Sequence, residues 1–202
     1  MGRKKRDTSL KKASIMQAAI RAFQEEGYDK TSMDRIAEVA GASKRTVYNH
    51  FASKDALFKA VINRFMGEIS ALKQIPYDAG QSLEEQLTLF AETKLSILDN
   101  PAWMGLFKVG LGVLVRDPEL ARESLAQAET GEDYLADWLQ AATADGRLDV
   151  QNPALAAEIF WAMLSGAFIW PHLIQGPMEA AHIQSLKEEL IQTFLARYRV
   201  GA

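Results

Sequence analysis

Between Thr31 and Lys54 the chain reads TSMDRIAEVAGASKRTVYNHFASK, two short runs of helical apolar spacing joined through Gly41. In the first run Ile36, Val39 and Ala40 fall at the i, i+3, i+4 spacing of one helix face. Thr31 or Ser32 can cap it, and Asp34 is a first-turn carboxylate that favours a helix N-terminus. Gly41 supplies the positive φ that a sharp interhelical turn needs. Ala37, with its single methyl, lets a second helix cross closely. Ser43 caps that second helix, and Val47 and Phe51, four apart, anchor it inward. The pattern predicts a helix-turn-helix.

The outer face of the second helix then carries Lys44, Arg45, Thr46, Tyr48 and Asn49. Arginine can fork onto guanine and asparagine onto adenine. A threonine methyl can touch thymine, and Lys, Tyr and Thr can hydrogen-bond phosphates. Lys54 follows Ser53, the expected cap of the next helix, which puts an ammonium beside a positive helix end able to hold a phosphate. The competing reading is a basic, solvated helix pair in an unrelated α-protein. The Ala–Gly–Val spacing, the outward polar set and the following Ser-Lys all favour DNA. The candidate DNA contacts are Thr31, Ser32, Ser43, Lys44, Arg45, Thr46, Tyr48, Asn49, His50 and Lys54.

The run from about Ser9 to Phe65 resembles the DNA-binding domain of the TetR/AcrR family of transcriptional regulators. The residues that carry the resemblance are Gly27-Tyr28, Thr31-Ser32, Ile36-Ala37, Ala40-Gly41, Thr46-Val47-Tyr48-Asn49-His50-Phe51 and Ser53-Lys54-Asp55-Ala56-Leu57. The resemblance implies an all-helical homodimer with a variable C-terminal ligand-binding domain, usually a repressor released by a small molecule. Farther on, Arg116-Asp117-Pro118-Glu119-Leu120-Ala121 and Asp145-Gly146-Arg147-Leu148 with Asn152-Pro153-Ala154-Leu155-Ala156-Ala157 resemble the AefR-like C-terminal subtype. That second match does not identify a ligand.

Charge agrees with a polyanion at one end only. Residues 1–54 carry +6 and residues 55–202 carry −9, within a total of −3. A basic first quarter meets DNA while the acidic remainder is turned away from it. The chain has no cysteine, which excludes disulfides and thiolate metal sites and fits a reducing cytoplasm. Three scattered histidines do not suggest a metal cluster, and no cofactor is expected. No apolar run approaches the length needed to span a membrane, and Met1 to Lys12 lacks the apolar core of a signal peptide.

In chain order, Gly2-Arg3-Lys4-Lys5-Arg6 reads as a basic flexible arm (residues 1–8), either lying along DNA or simply solvated. Residues 9–69 form the DNA-binding domain. Its first helix runs Ser9 to Glu26 on Ile15, Ala18, Ala19, Ala22 and Phe23, with Tyr28 and Phe51 as packing partners. A fourth helix starts after Ser53 and continues to about Gln74, so it alone connects the two domains and is the candidate lever. Residues 70–202 form the C-terminal ligand-binding and dimerisation domain. Ser82-Leu83-Glu84-Glu85 is a capping box. Asn100-Pro101, Asp117-Pro118 and Asn152-Pro153 each offer a cap followed by proline at the first helical position. Their helices are expected at roughly 101–114, 118–143 and 153–170, with Pro171, Gly176 and Pro177 breaking the third and a last helix over about 179–199. The fold class is all-α, about nine helices.

All four tryptophans lie in the C-terminal part. Aromatic side chains at helical spacing fill cores, and they also line ligand sites in bundles. The expected cavity takes Phe90, Trp103, Phe107, Leu111, Trp138, Trp161 and Phe168. Gly105, Gly110 and Gly112 sit inside an expected helix at about 1 kcal/mol each against alanine, which points to close packing, distortion or room for a guest. The expected dimer surface is Ile159, Phe160, Met163, Leu164, Ala167, Ile191, Phe194, Leu195 and Tyr198, with an internal core as the alternative. The chain therefore reads as a homodimeric, ligand-responsive regulator, most simply a repressor, of a near-palindromic double-stranded operator. A ligand-independent regulator or activator is the alternative. An enzyme or lipophile carrier finds no phosphate loop, paired-histidine motif or cysteine nucleophile in its support.

Overall fold

A computed structural model describes residues 2–71, 75–126 and 134–201. The chain divides into two compact units, Met1–Glu68 with Pro101–Glu129, and Ile69–Asn100 with Thr130–Ala202. The described residues are helical, apart from turns, loops and one isolated bridge between Leu148 and Arg199.

The first unit holds α1 (Gly2–Glu26), α2 (Met33–Val39), α3 (Lys44–His50), most of α4 (Lys54–Ala71), α6 (Pro101–Arg116) and α7 (Pro118–Ala126). The expected stripe of α1 is its buried face: Ile15, Ala18, Ala19, Ala22 and Phe23 are fully excluded from solvent. They meet Val47, Phe51, Leu57, Phe58 and Val61, joined by Leu106, Val113 and Leu120 from α6 and α7. Phe23, Tyr28 and Phe58 pack ring against ring at 5.0–6.0 Å. Full burial of each large apolar side chain contributes roughly 1.5–3 kcal/mol. Contrary to the expected start at Ser9 after a free arm, α1 extends back to Gly2. The run of Lys and Arg there is made of good helix formers, and nothing in it breaks a helix.

The second unit is built on α5 (Leu83–Leu95), α8 (Tyr134–Ala144), α9 (Pro153–Leu164), α10 (Trp170–Gln175) and α11 (Ala180–Tyr198). Ser82 and Glu85 form the expected reciprocal capping box, and Asn152 accepts a hydrogen bond from the Leu155 N–H ahead of Pro153. The core gathers Leu87, Phe90, Leu135, Trp138, Leu139, Phe160, Leu164, Phe168, Ile191 and Phe194.

Of the helix expected over 118–143, the stretches α7 and α8 are helical, and residues 127–133 between them lie outside the described residues. Of the expected breakers Pro171 does not end its helix, which runs on to Gln175 and is capped by Gly176. A π-helical turn at Ser165–Ile169 joins α9 to α10, and its wider ring relieves the clash that proline otherwise makes one turn back. The joined helix, Pro153–Gln175, is therefore long and apolar enough to cross a membrane by length and composition. Part of its apolar surface (Ala156, Ala157, Phe160, Leu164, Phe168) is instead packed into the unit's own core.

The glycines of α6 are not alike. A Cβ at Gly105 would collide with the Gln24 side chain, whereas one at Gly110 or Gly112 would meet no atom within 4 Å. Gly110→Ala should therefore stabilise the first unit by about 0.5–1 kcal/mol, through helix propensity alone. A shift of the chemical-denaturation midpoint to lower denaturant would show that the site is more crowded than it looks.

Candidate nucleic-acid interface

The geometry of the α2–α3 pair follows from its caps and its turn. The Ser32 side chain accepts from the Arg35 N–H and starts α2. Gly41 sits at φ +56°, the left-handed conformation that only glycine adopts freely. Ser43 accepts from the Thr46 N–H and starts α3. Val47 is fully buried, and Phe51 nearly so. Arg35 reaches Glu26 at 2.5 Å and Glu38 at 3.1 Å, tying α2 to the end of α1. Its hydrogen bonds to Glu26 and then Glu38 push its pKa above the ordinary arginine value.

This fixes which side chains face out. Lys44, Arg45, Tyr48 and Asn49 are exposed, and Thr46 and His50 are half-buried. Lys44 pairs with Asp34 at 2.5 Å, both well exposed, so that bond contributes little and can be exchanged for a phosphate. Ser43 and Thr46 share a hydroxyl–hydroxyl hydrogen bond of 2.8 Å at the N-terminus of α3. The outward set is thus basic, amide and hydroxyl, without a carboxylate on α3.

Two candidate contacts are turned to other work. Thr31 is 2% exposed, and its hydroxyl lies 2.7 Å from the Gly27 carbonyl and 3.1 Å from that of Ala22, so it closes the α1–α2 turn. Lys54 is half-buried and donates to the Tyr28 carbonyl at 2.8 Å, with its ammonium 4.3 Å from the Tyr28 ring centroid. Burial lowers its pKa, with Asp55 acting in the opposite sense. Beside it the Tyr28 hydroxyl donates to Asp55. These three residues strap the start of α4 to the loop after α1. Sequence reading missed the strap, because it joins positions 26 and 27 residues apart.

Burial, then the hydrogen bond to Asp55, raises the Tyr28 pKa well above that of a free phenol. A raised folded-state pKa means stability that is complete below the unfolded value of about 10 and is lost as pH climbs past it. Spectrophotometric alkaline titration should therefore show a late phenol step coincident with unfolding of the first unit. Tyr28→Phe should remove that step. Its persistence in the variant would assign it elsewhere.

The remaining candidates divide between the units. Phe90, Trp138, Trp161 and Phe168 come together in the second, with Phe90 5.9 Å from Trp138 and 6.2 Å from Trp161. Trp103, Phe107 and Leu111 lie on α6, in the first. Of the nine dimer candidates, Phe160, Leu164, Ile191, Phe194 and Leu195 are at most 2% exposed and belong to the unit's internal core. Met163, Ala167 and Tyr198 are partly buried against it, and Ile159 is exposed. The joined α9–α10 helix turns Leu155, Trp170 and Ile174 outward together with Ile159.

Comparison with known proteins places residues 15–61 in the profile of bacterial regulatory proteins of the tetR family. Residues 85–200 match the profile of the AefR-like transcriptional repressor C-terminal domain. The HTH-type transcriptional regulator RutR of Escherichia coli K12 is 28% identical over 166 residues, 80% of this chain and 75% of that one. A TetR family transcriptional regulator from Pseudomonas syringae pv. tomato superimposes with a TM-score of 0.77 at 32% identity, covering 99% of this chain and 100% of its own. The Flavonoid-responsive Regulator FrrA superimposes with a TM-score of 0.76 at 28% identity, covering 96% and 100%.

Proposed function

The chain belongs to the TetR family of bacterial transcriptional regulators, a DNA-binding and non-enzymatic class, and from that premise we propose a ligand-released repressor acting as a homodimer on a near-palindromic operator. The observation that carries this reading is the exposed face of α3: Lys44, Arg45, Tyr48 and Asn49 around a buried Val47 anchor. Arg45 and Asn49, one helical turn apart, read base edges. Lys44, Tyr48, Ser43 and the hydroxyl of Ser32 hold phosphates.

Dimerisation is supported by the outward apolar residues of α9–α10. Leu155, Ile159, Trp170 and Ile174 are 39–76% exposed, and pairing about a two-fold axis removes them from water. A two-fold dimer sets two α3 helices against half-sites about 34–36 Å apart. The effector is a small lipophilic or aromatic molecule, consistent with the Phe90, Trp138, Trp161 and Phe168 group and with a relative named as flavonoid-responsive. It acts by binding the DNA-incompatible state better, and a coupling of about 1–3 kcal/mol lowers operator affinity about 5–150-fold. The helix α4, which runs from the first unit into the second, is the transmitter. The protein acts in the cytoplasm, where its operator is.

Fluorescence anisotropy on duplexes selected from a random pool tests the reading. Affinity should fall by about 0.9 log units per neutralised phosphate per log unit of salt, and light scattering should return twice the chain mass. Equal affinity for selected and scrambled duplexes at every salt concentration, or a stable monomer on DNA, would overturn it.

A further inference from the structure

Within the first unit a groove of about 290 Å³ lies between the end of α1, the turn into α2 and the length of α6. Its apolar lining comes from Phe23, Tyr28, Val109 and Val113, and from α6 it also takes Gly105 and Gly112. Lys108 and Arg116, one either side of Gly112, add two cations against the single carboxylate of Asp29. None of these side chains lies on α3.

We propose that this groove is a binding site for a small planar aromatic carboxylate. Three observations carry it. The glycines weaken α6 as a helix, and at Gly112 the cost is not explained by crowding, since a Cβ there would meet no atom within 4 Å. Omitting that side chain leaves the α6 wall of the groove open. The lining is apolar and aromatic with a net positive charge, which suits a ring bearing one negative group better than a neutral or cationic molecule. Arg116 is ion-paired to Asp29, but the two side chains are 71% and 52% exposed. An ion pair so exposed contributes little, so a ligand carboxylate can take over the guanidinium fork with small loss. The volume lies just under the range of small-molecule pockets, roughly 300–1,000 Å³, and fits a single ring rather than a fused polycycle.

One wall of the groove is the Gly27–Asp29 turn that leads into α2. On the DNA-binding reading, which this part of the proposal alone rests on, the groove is a second regulatory position in the same unit as α3.

The probe is benzoate, titrated into the ¹⁵N-labelled full chain without DNA, with benzamide and inorganic phosphate as parallel arms. Saturable shifts of the amides at Gly27–Asp29 and Lys108–Arg116 are expected with benzoate. Benzamide and phosphate should each bind about tenfold or more weakly, because one lacks the charge and the other the ring. Gly112→Leu fills the groove and Arg116→Gln removes the fork, and each should weaken benzoate by about tenfold or more. Both positions are exposed, and circular dichroism confirms folding before the titration is read. Absence of saturable shifts at these amides overturns the proposal, as does undiminished affinity in folded Gly112→Leu. Phosphate binding as tightly as benzoate also overturns it, by reducing the site to a surface cation pair. Operator binding is measured separately, so failure of the groove and failure of the DNA reading give different results.

Discussion

Arg45→Ala should weaken binding to the selected operator by about 2–6 kcal/mol, the loss of about 1–3 kcal/mol of bidentate readout in each of two half-sites. The loss should be confined to duplexes with the preferred base at the contacted position, so that base preference flattens there while affinity for scrambled DNA changes little. Arg45 is exposed on α3, with Val47 buried two residues on, so its removal leaves the fold intact. Anisotropy titrations against a set of single-base operator variants read this directly. A uniform loss across all duplexes would make Arg45 a phosphate contact and move base reading to Asn49 or Tyr48.

Trp138→Ala should destabilise the second unit by about 3–5 kcal/mol, the range for deleting a large buried aromatic side chain. Trp138 is 2% exposed and packs edge-to-face with Phe90 at 5.9 Å and Tyr77 at 5.8 Å. Its indole N–H donates to Gln86 Oε1 at 2.9 Å. Gln86, itself 2% exposed, also accepts from the Asp78 N–H and donates to the Asp78 carbonyl, so it holds the loop ahead of α5. Trp138→Phe keeps most of the packing and should lose only about 1 kcal/mol, since Gln86 Oε1 retains its backbone partner. Equal midpoints for the two variants in chemical denaturation would mean that the hydrogen bond, not the ring volume, dominates.

Local chemistry was legible along the chain, and partnership was not. The α2–α3 pair could be read because each cap, the glycine turn and the Val47–Phe51 anchor act over four residues or fewer. The contacts of Thr31 and Lys54 could not be read in the same way, because their partners are backbone carbonyls at positions 22 and 27 for one, and at 28 for the other. Periodicity states that a helix has a buried face without stating what buries it. Hence the pattern of α6 and α7 did not name the neighbours of Leu106, Val113 and Leu120, which pack with α1 and α4. The same limit applies to α9, which is apolar on nearly every side. Phe160 and Leu164 are internal, and the outward residues of α9 are Leu155 and Ile159.

The π-helical turn at Ser165–Ile169 absorbs one residue beyond the regular 3.6 per turn, which rotates everything after it by about 100° around the axis. Trp170 and Ile174 therefore owe their outward direction to a local miscount rather than to their place in the apolar sequence. Deleting a single residue such as Gly166 would let the helix rewind to an ordinary pitch and swing Trp170 to another side. A one-residue indel there would redraw the proposed seam between two subunits while leaving the composition of the helix almost untouched.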